Sequence, residues 1–436
     1  MRIAIIGAHG FIGSHVARAF LAAGHDVVGL GRDRELGGRL LPDVAWLDCD
    51  LNKDTDADLW RQRFAGCDVL VNCAGVLQRT RRDDPHVIHG AATIAAFEGA
   101  SSAGIGRIIH VSALGADDDV DTDYSRSKRI ADKYLAGMNI DWLILKPSLV
   151  IARECYGGTR MVRMLAGLPI FAPLPRRANA LFQPVAMHDL VAGIVALAEP
   201  AAQARVTMAV TGPEQMRVSD LVTKVRNWLG LPPIRVLTLP DYTLAPAVLA
   251  ADVLGFFGVE TAMRSTSFRQ TEKPNIADQK PFERATGLRM RSIEEALKHD
   301  PASHADRVHA QLLAPLLALR WILVVFWCLT GVLTIASLSD AFDTAPAKQL
   351  AGMAGPTVTL AAILGGAAAD LLLGIWLAVA RDVRKPCLAQ IGLMIVYVVG
   401  LSYLSPSLWA DPLGVLLKIL PIIGATLVLM MSGVRR

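Results

Sequence analysis

Paired cysteines and clusters of metal ligands are missing from this sequence. Its six cysteines are scattered along the chain, with no CxxC pair and no histidine cluster at metal-ligand spacing. That pattern excludes the common zinc motifs and is typical of a protein in a reducing compartment. We therefore predict no metal site.

The sequence also has little excess charge of either sign. Its 44 basic and 40 acidic residues leave a net charge of +4 over 436 residues, and the basic residues form no long run. Nucleic-acid-binding proteins usually concentrate lysine and arginine in a patch or stripe, so we predict no nucleic-acid partner. The N-terminus opens directly into a strand-like run and has no room for a cleavable signal peptide. The N-terminal domain is therefore expected to stay in the cytoplasm.

Long apolar runs, in contrast, are abundant near the C-terminus. With 53% hydrophobic residues and a mean hydropathy of +0.39, the chain is more apolar than an average soluble protein. Four runs each have about the length that a helix needs to cross a bilayer: 321–338, 356–380, 386–404 and 412–434. We predict an all-α, four-helix transmembrane domain over residues 316–436; the alternative is a large soluble helical core.

The basic residues near these runs predict their orientation. All but one of them fall on the same side of the four predicted spans: Arg320, Arg381, Arg384, Lys385, Arg435 and Arg436, with Lys348 as the exception. Cytoplasmic loops carry the excess of lysine and arginine in membrane proteins. We therefore expect a multi-pass protein of the inner (cell) membrane whose N-terminal domain and C-terminus are cytoplasmic.

The first 150 residues alternate strand-like and helix-like segments. Short apolar runs suggest strands at 2–6, 26–30, 68–73, 107–112 and 142–145, and helical spacing follows the first of them. This alternation predicts an α/β fold, a Rossmann-type doubly wound parallel sheet. We expect a domain over 1–300 that comprises a cofactor core (1–150) and a small α/β substrate-side region (151–300), then a linker at 301–315. In the second region, the apolar stretch 244–257 is too short to span a membrane and favours a core helix over one in the interface.

A glycine-rich turn follows the first predicted strand. Gly7, Gly10 and Gly13 are spaced GxxGxxG, and Phe11 and Ile12 lie between the last two. Such glycines permit a tight turn and let the backbone approach a pyrophosphate at a helix N-terminus. We predict that these five residues bind a dinucleotide; the alternative is a packing turn.

The residues after the next strands predict which dinucleotide binds. The second strand ends in Gly31-Arg32, where an acidic residue would accept hydrogen bonds from a ribose diol. Arg32 favours the 2′-phosphate of NADP(H), although NAD(H) with Asp33 on the ribose stays open. We expect two further segments to line the cofactor, Asp50-Leu51 after the third strand and Cys73-Ala74-Gly75 after the fourth.

Further residues complete a recognisable pattern. They are Ser112 in HVSALGA, Tyr124 and Lys128 in YxxxK, and Pro147-Ser148 in KPS. A lysine four residues after a tyrosine shares its helical face, where it can lower the phenol's pKa and hold the nicotinamide ribose. Tyr124 would act as general acid or base while Ser112 orients the reacting oxygen. With the glycine turn, this set resembles the short-chain dehydrogenases/reductases of extended or atypical type, and implies that Pro147 and Ser148 also contact the cofactor.

Two more specific resemblances add to this one. HVSALGAD, QPV at 183–185 and His188-Asp189-Leu190 resemble the branch that includes the nucleotide-binding accessory subunit of respiratory complex I, and the apolar tail resembles the DoxX-like family. His89 stands where extended members commonly have an asparagine that supports the catalytic helix. Some members of this branch bind nucleotide without established turnover.

Two main hypotheses of function follow. The first is a membrane-anchored, NAD(P)(H)-dependent oxidoreductase or epimerase that acts on an apolar, membrane-partitioned carbonyl or alcohol, such as a quinone- or isoprenoid-like compound. The second is a non-catalytic NADP(H)-binding accessory or assembly subunit of a membrane respiratory complex. A sensor of the NADPH to NADP ratio fits the membrane anchor poorly.

Overall fold

The computed structural model describes residues 1–76, 79, 83–116, 122–243, 249, 274–412 and 414–433. These residues form two compact units, Met1–Gln311 and Leu312–Arg436. Apart from residue 249, the apolar stretch 244–257 lies outside the described residues, and so does the helix predicted there.

Thirteen strands lie in the described residues of the first unit. In chain order they are β1 (Arg2–Ile6), β2 (Asp26–Gly31), β3 (Ala45–Asp48), β4 (Val69–Asn72), β5 (Arg107–Val111), β6 (Asp141–Pro147), β7 (Val150–Ile151), β8 (Phe171–Pro175), β9 (Leu181–Phe182), β10 (Val185–Ala186), β11 (Val206–Val210), β12 (Met216–Arg217) and β13 (Arg235–Leu239). Seven of them form one sheet in the order β11-β6-β5-β4-β1-β2-β3. Every neighbouring pair in this sheet is parallel, which confirms the doubly wound fold predicted from the sequence.

The central strands are mostly apolar because both faces of the sheet are covered. Successive residues of β1 alternate between two separate cores. Ile3 and Ile5 pack in one hydrophobic cluster, while Ala4 and Ile6 pack in the other. This burial on both sides explains why the buried part of β1, Ile3 to Ile6, has no polar residue on either face.

Helices cover both faces of the sheet. Those of the first unit are α1 (Phe11–Ala22), α2 (Arg34–Leu40), α3 (Ala57–Arg63), α4 (Ala92–Ser102), α5 (Asp123–Ala136), α6 (Gly158–Gly167), α7 (Met187–Ala198), α8 (Val218–Trp228), α9 (Lys280–Thr286) and α10 (Ile293–His299). A π-helical turn, His86–Ala91, leads directly into α4. The alternation of strand-like and helix-like segments in the sequence predicts the first of these helices and the strands on either side of it.

The other six strands form a smaller region. It contains the short pairs β7–β10, β8–β13 and β9–β12. A third hydrophobic cluster, with Val162 of α6 and Leu221 and Val222 of α8, holds this region together. The arrangement agrees with the small α/β region that the fold-class prediction placed after the cofactor core.

The last six helices are α11 (His304–Ala336), α12 (Leu338–Asp343), α13 (Ala345–Ala354), α14 (Pro356–Val379), α15 (Arg384–Leu404) and α16 (Ile419–Met431). Helix α11 begins within the predicted linker 301–315, where Ser303 and Asp306 bond to each other's backbone N–H at 3.2 and 2.8 Å. A Ser/Asp pair of this kind caps a helix start.

Three of the four predicted spans form helices long and apolar enough to cross a membrane, α11, α14 and α15. The fourth prediction, 412–434, needs correction because its helix α16 has only 13 residues. Turn residues precede it from Val415 to Lys418. A helix rises about 1.5 Å per residue, so α16 falls short of a hydrocarbon core about 30 Å thick.

Candidate functional site

The glycine turn joins β1 to the N-terminus of α1. Gly7 adopts a positive φ of 77°, and its N–H donates to Leu30 O of β2 at 2.9 Å. A Cβ at Gly13 would lie 2.2 Å from Gly7 O, so no larger residue fits there without moving the turn. Gly10 is the N-cap of α1 and has no side chain to occupy the first N–H groups. The turn therefore leaves helix N–H groups available to an anion, which fits a dinucleotide's pyrophosphate.

The carboxyl end of β2 holds Arg32, the residue predicted to select the cofactor. Its Nη1 pairs with the carboxylate of Asp83, which is 6% exposed. Asn52 also donates to this carboxylate, with 3.3 Å between Nδ2 and Oδ1. Asp33, the alternative ribose ligand, instead caps α2 by accepting the Leu36 N–H at 2.9 Å.

The sequence analysis missed Asp83 because it lies 51 residues from Arg32 and carries no local motif. The predicted Asp50 and Leu51 lie just after β3, beside Asn52. Asp50 accepts the Asn52 N–H at 3.2 Å, so its carboxylate stabilises this loop.

Lys128 is buried between the ends of two strands. Its Nζ donates to Ala74 O at 3.2 Å and to Val111 O at 2.9 Å. These bonds use two of the three ammonium hydrogens and leave one for a ligand. Burial lowers the pKa of Lys128 to about 8, while the Asp132 carboxylate opposes this shift. The ammonium is therefore mostly charged at neutral pH.

The segment predicted to line the cofactor, Cys73 to Gly75, meets Lys128 directly. A Cβ on Gly75 would lie 3.6 Å from both Lys128 Nζ and His89 Nε2. Burial raises the pKa of Cys73 to about 12, which keeps its thiol protonated. Glycine at this position preserves space beside the lysine, as a bound nicotinamide ribose requires.

His89 links that segment to the helix that carries Tyr124. Its Nε2 accepts the Val76 N–H at 3.0 Å, so the ring proton is assigned to Nδ1, which lies 2.9 Å from Ser127 Oγ. Ser127 in turn donates to Tyr124 O at 2.9 Å. Burial, and then the charge of Lys128, hold the pKa of His89 well below its usual value. The ring therefore stays neutral and can keep both hydrogen bonds.

Tyr124 lies in the first turn of α5, with its ring centroid 5.5 Å from that of His89. The helix starts at Thr122, whose hydroxyl accepts the Ser125 N–H at 3.2 Å. Burial, with a smaller contribution from Asp132, raises the pKa of Tyr124 to about 12. The expectation that Lys128 lowers the phenol's pKa is therefore wrong, and the phenol is protonated at neutral pH, as a proton donor must be.

Ser112 follows β5, and its hydroxyl donates to Asp132 Oδ2 at 2.8 Å. The sequence analysis did not name Asp132, although it stands four residues after Lys128 and so shares its helical face. Pro147 and Ser148 follow at the end of β6, where Ser148 N–H donates to Val210 O at 3.1 Å. The structure therefore brings the predicted serine, lysine, glycine segment and KPS segment to one edge of the sheet.

No group of three or more histidine, cysteine, aspartate or glutamate side chains in the described residues could hold a metal ion. The site consists instead of the glycine turn, buried hydrogen bonds and one buried lysine. These residues fit a nicotinamide dinucleotide: α1 offers N–H groups to the pyrophosphate, and Lys128 and Gly75 offer a donor and space to the ribose.

Comparisons with known proteins agree with this site. Residues 7–164 match the NAD(P)H-binding family, and residues 324–427 match the DoxX-like family. A mitochondrial mouse (Mus musculus) protein named NADH dehydrogenase [ubiquinone] 1 alpha subcomplex subunit 9 is 25% identical over 316 residues, which cover 68% of this chain and 79% of that protein. A ceramide reductase from Caulobacter vibrioides is 24% identical over 257 residues, covering 58% of this chain and 76% of that one.

Solved structures show the same fold in the first unit. An NADPH-dependent quinone oxidoreductase from Escherichia coli, in complex with NADPH, has a TM-score of 0.53 at 17% identity and covers 68% of this chain and 99% of its own. The first unit therefore has a Rossmann-type fold, and the chain combines a match to the NAD(P)H-binding family with a match to the DoxX-like family.

Proposed function

We propose that this protein is a membrane-anchored, NAD(P)(H)-dependent oxidoreductase or epimerase. It acts on an apolar, membrane-partitioned carbonyl or alcohol, such as a quinone- or isoprenoid-like compound. The observation that carries the proposal is the assembly of Tyr124, His89, Lys128 and Gly75 at the sheet edge that also bears the glycine turn. This set supplies a proton donor beside the place where a nicotinamide ribose would be held.

Each residue then has a defined task. The cofactor, when bound, supplies or accepts a hydride. Tyr124 donates the proton that the reduced oxygen needs, and its raised pKa keeps that proton in place at neutral pH. Lys128 holds the ribose with its remaining N–H, while His89 fixes the helix that carries Tyr124.

We propose NADP(H) as the preferred cofactor. The Arg32 side chain is 35% exposed at the end of β2, and its guanidinium has five N–H donors, more than the Asp83 carboxylate can use. The remaining donors suit a 2′-phosphate, whereas Asp33 is already engaged as the cap of α2.

The membrane domain supports an apolar substrate. Helices α11, α14 and α15 are long enough to cross a bilayer, so a substrate that partitions into lipid would be concentrated near the enzyme. The name of the related ceramide reductase assigns that protein a lipid substrate.

The second hypothesis is an accessory or assembly subunit of a membrane respiratory complex that binds NADP(H) without turnover. The mouse relative favours it, because that protein is named as a subunit of NADH dehydrogenase and is matched over 79% of its length. Bound nucleotide would then stabilise the fold by mass action.

Substitution of Tyr124 by phenylalanine separates the two hypotheses. In an enzyme, Tyr124→Phe should keep nucleotide affinity and lower turnover by about two to four orders of magnitude, because only the proton donor is lost. The assay follows nicotinamide oxidation by the full-length protein with membrane extract. Tyr134→Phe is the matched control, since Tyr134 lies on the same helix but is 38% exposed. Full complementation of a deletion strain by Tyr124→Phe at normal abundance would favour the subunit hypothesis.

We further propose an inner-membrane location with the first unit in the cytoplasm. The basic loop between α14 and α15 belongs on the cytoplasmic side. Reporter fusions in the 381–385 loop should report cytoplasm, and fusions near residue 345 the opposite side. A fusion at Arg436 decides whether the short α16 segment crosses the membrane: a cytoplasmic signal indicates four crossings, and a periplasmic signal indicates three.

A further inference from the structure

A buried carboxylate, Asp132, lies next to the site without being part of its predicted machinery. It is 8% exposed and stands one helical turn after Lys128 on α5. Its Oδ2 accepts the Ser112 hydroxyl at 2.8 Å. A carboxylate is costly to bury unless charges and hydrogen bonds compensate it. The groups around Asp132 should therefore reveal what it does.

Groups from β5 and β6 face this carboxylate. Lys146 of β6 places its Nζ 3.7 Å from Oδ2, and His110 of β5 places its Nε2 3.5 Å from Oδ1. Burial, followed by the charge of Lys128, holds the pKa of His110 well below its usual value, so this ring is neutral. Lys146 and Lys128 are therefore two charges that Asp132 balances.

Three other titratable groups face Lys128 or lie near it, namely Cys73, His89 and Tyr124. All three are uncharged near pH 8, because the thiol and the phenol have raised pKa values and the imidazole has a lowered one. Of the groups that favour the ammonium form of Lys128, Asp132 contributes more than Cys73, whose thiol is protonated at this pH.

We propose that Asp132 is a positioning residue for both Ser112 and Lys128. Because the Ser112 hydroxyl donates its hydrogen to Asp132, only its lone pairs face the substrate. It is therefore suited to accept a hydrogen bond from a substrate hydroxyl. The same carboxylate keeps Lys128 charged for the cofactor ribose. The first role rests on the proposed function, while the second requires nucleotide binding alone.

The decisive test is the pH dependence of nucleotide binding. NADPH affinity of the full-length protein in nanodiscs is measured by fluorescence between pH 6.5 and 9.5. Wild-type affinity should fall as Lys128 loses its proton, and Asp132→Asn should move this fall to lower pH. The variant should then bind severalfold more weakly than wild type at pH 8 and nearly equally at pH 6.5.

Three variants make the result specific. Asp141→Asn removes a half-exposed carboxylate of β6 and should leave the profile unchanged. Ser112→Ala removes the hydroxyl but no charge, and should also leave it unchanged. Asp132→Glu retains the charge and should restore the wild-type profile. Coincident profiles of wild type and Asp132→Asn would overturn the proposal.

The role toward Ser112 is tested by a double-mutant cycle in turnover at pH 6.5. If Asp132 acts through Ser112, Asp132→Asn should cost little in the Ser112→Ala background; fully additive losses would contradict this role. A protein that binds NADPH but converts no substrate would defeat the proposed enzyme. The pH profile would still decide whether Asp132 controls Lys128.

Discussion

The two units of this protein place their polar and apolar side chains in opposite positions. In Met1–Gln311, apolar side chains fill the interior on both faces of the sheet, and polar groups gather at its carboxyl edge. In Leu312–Arg436, large apolar side chains point outward, as with Ile322, Leu372 and Val396, which are 63 to 67% exposed. The difference shows that each unit is folded for its own solvent, water for the first and lipid for the second.

Buried polar groups also have different partners in the two units. At the nucleotide site, Lys128 and His89 bond to groups from separate strands and loops. In the second unit, Arg320 donates to three carbonyls at the end of α14, those of Leu377, Ala378 and Ala380, at 2.7 to 3.1 Å. The first arrangement leaves a donor for a ligand, whereas the second completes a helix end.

The largest loss of nucleotide affinity should come from a substitution in the glycine turn. Gly13→Asp should abolish nucleotide binding, because even a Cβ there would lie 2.2 Å from Gly7 O, and the carboxylate would repel the pyrophosphate. Gly38→Asp is the matched control, since nothing lies within 4 Å of its Cβ position. Isothermal titration with NADPH measures the result. Unchanged affinity in a folded Gly13→Asp protein would defeat the cofactor assignment.

A smaller loss of affinity should distinguish NADP(H) from NAD(H). Arg32→Ala should weaken NADP(H) by about ten- to a hundredfold, the value of a charge-assisted hydrogen bond, and leave NAD(H) nearly unaffected. Asp83→Asn should strengthen NADP(H), because the guanidinium then loses the carboxylate that competes with the 2′-phosphate. Arg34→Ala, at an exposed position of α2, is the control. Equal losses for both cofactors in Arg32→Ala would argue against a phosphate contact.

The buried histidines predict how the first unit responds to acid. His89 and His110 have lowered pKa values in the folded protein, so below about pH 6.5 the unfolded chain binds protons that the folded chain does not. Stability should therefore fall as the pH decreases, by about 1.4 kcal/mol per pH unit for each histidine. His89→Asn can keep hydrogen-bonding groups but does not titrate, so it should reduce this slope. Denaturant unfolding at pH 7.0 and 5.5 checks this, and an unchanged slope would mean that His89 is not buried as a neutral ring.

The smallest effect, a minor loss of stability, should come from a substitution in the second unit. Tyr397 donates to Asp370 Oδ1 at 2.8 Å, between α15 and α14. Tyr397→Phe should destabilise this unit by about 1 kcal/mol, since hydrogen bonds between membrane helices contribute little, and should leave NADPH affinity unchanged. Tyr403→Phe, 72% exposed on the same helix, is the control for thermal unfolding in detergent. A loss of NADPH affinity in Tyr397→Phe would show that the two units are coupled.

Much of the fold could be predicted because it follows local patterns. The strands at 2–6 and 107–112 and the helix after the glycine turn agree with β1, β5 and α1 to within one or two residues. The helix in the fourth predicted span is shorter than the span because hydropathy alone does not reveal where a helix begins. Gly414, with a φ of 65°, lies just before the turn residues that take up the first part of that run.

The sequence by itself determined the parallel sheet, the glycine turn, the apolar helices and some, but not all, of the residues at the sheet edge. Period, spacing and hydropathy are properties of neighbouring residues, and these features depend on nothing else. Tertiary structure alone decided the partners: Asp83 for Arg32, Ser127 for His89 and Asp132 for Ser112, at separations of 51, 38 and 20 residues. Such pairs form because parallel strands bring their carboxyl ends to one edge, where buried polar groups must find hydrogen-bond partners wherever the chain supplies them.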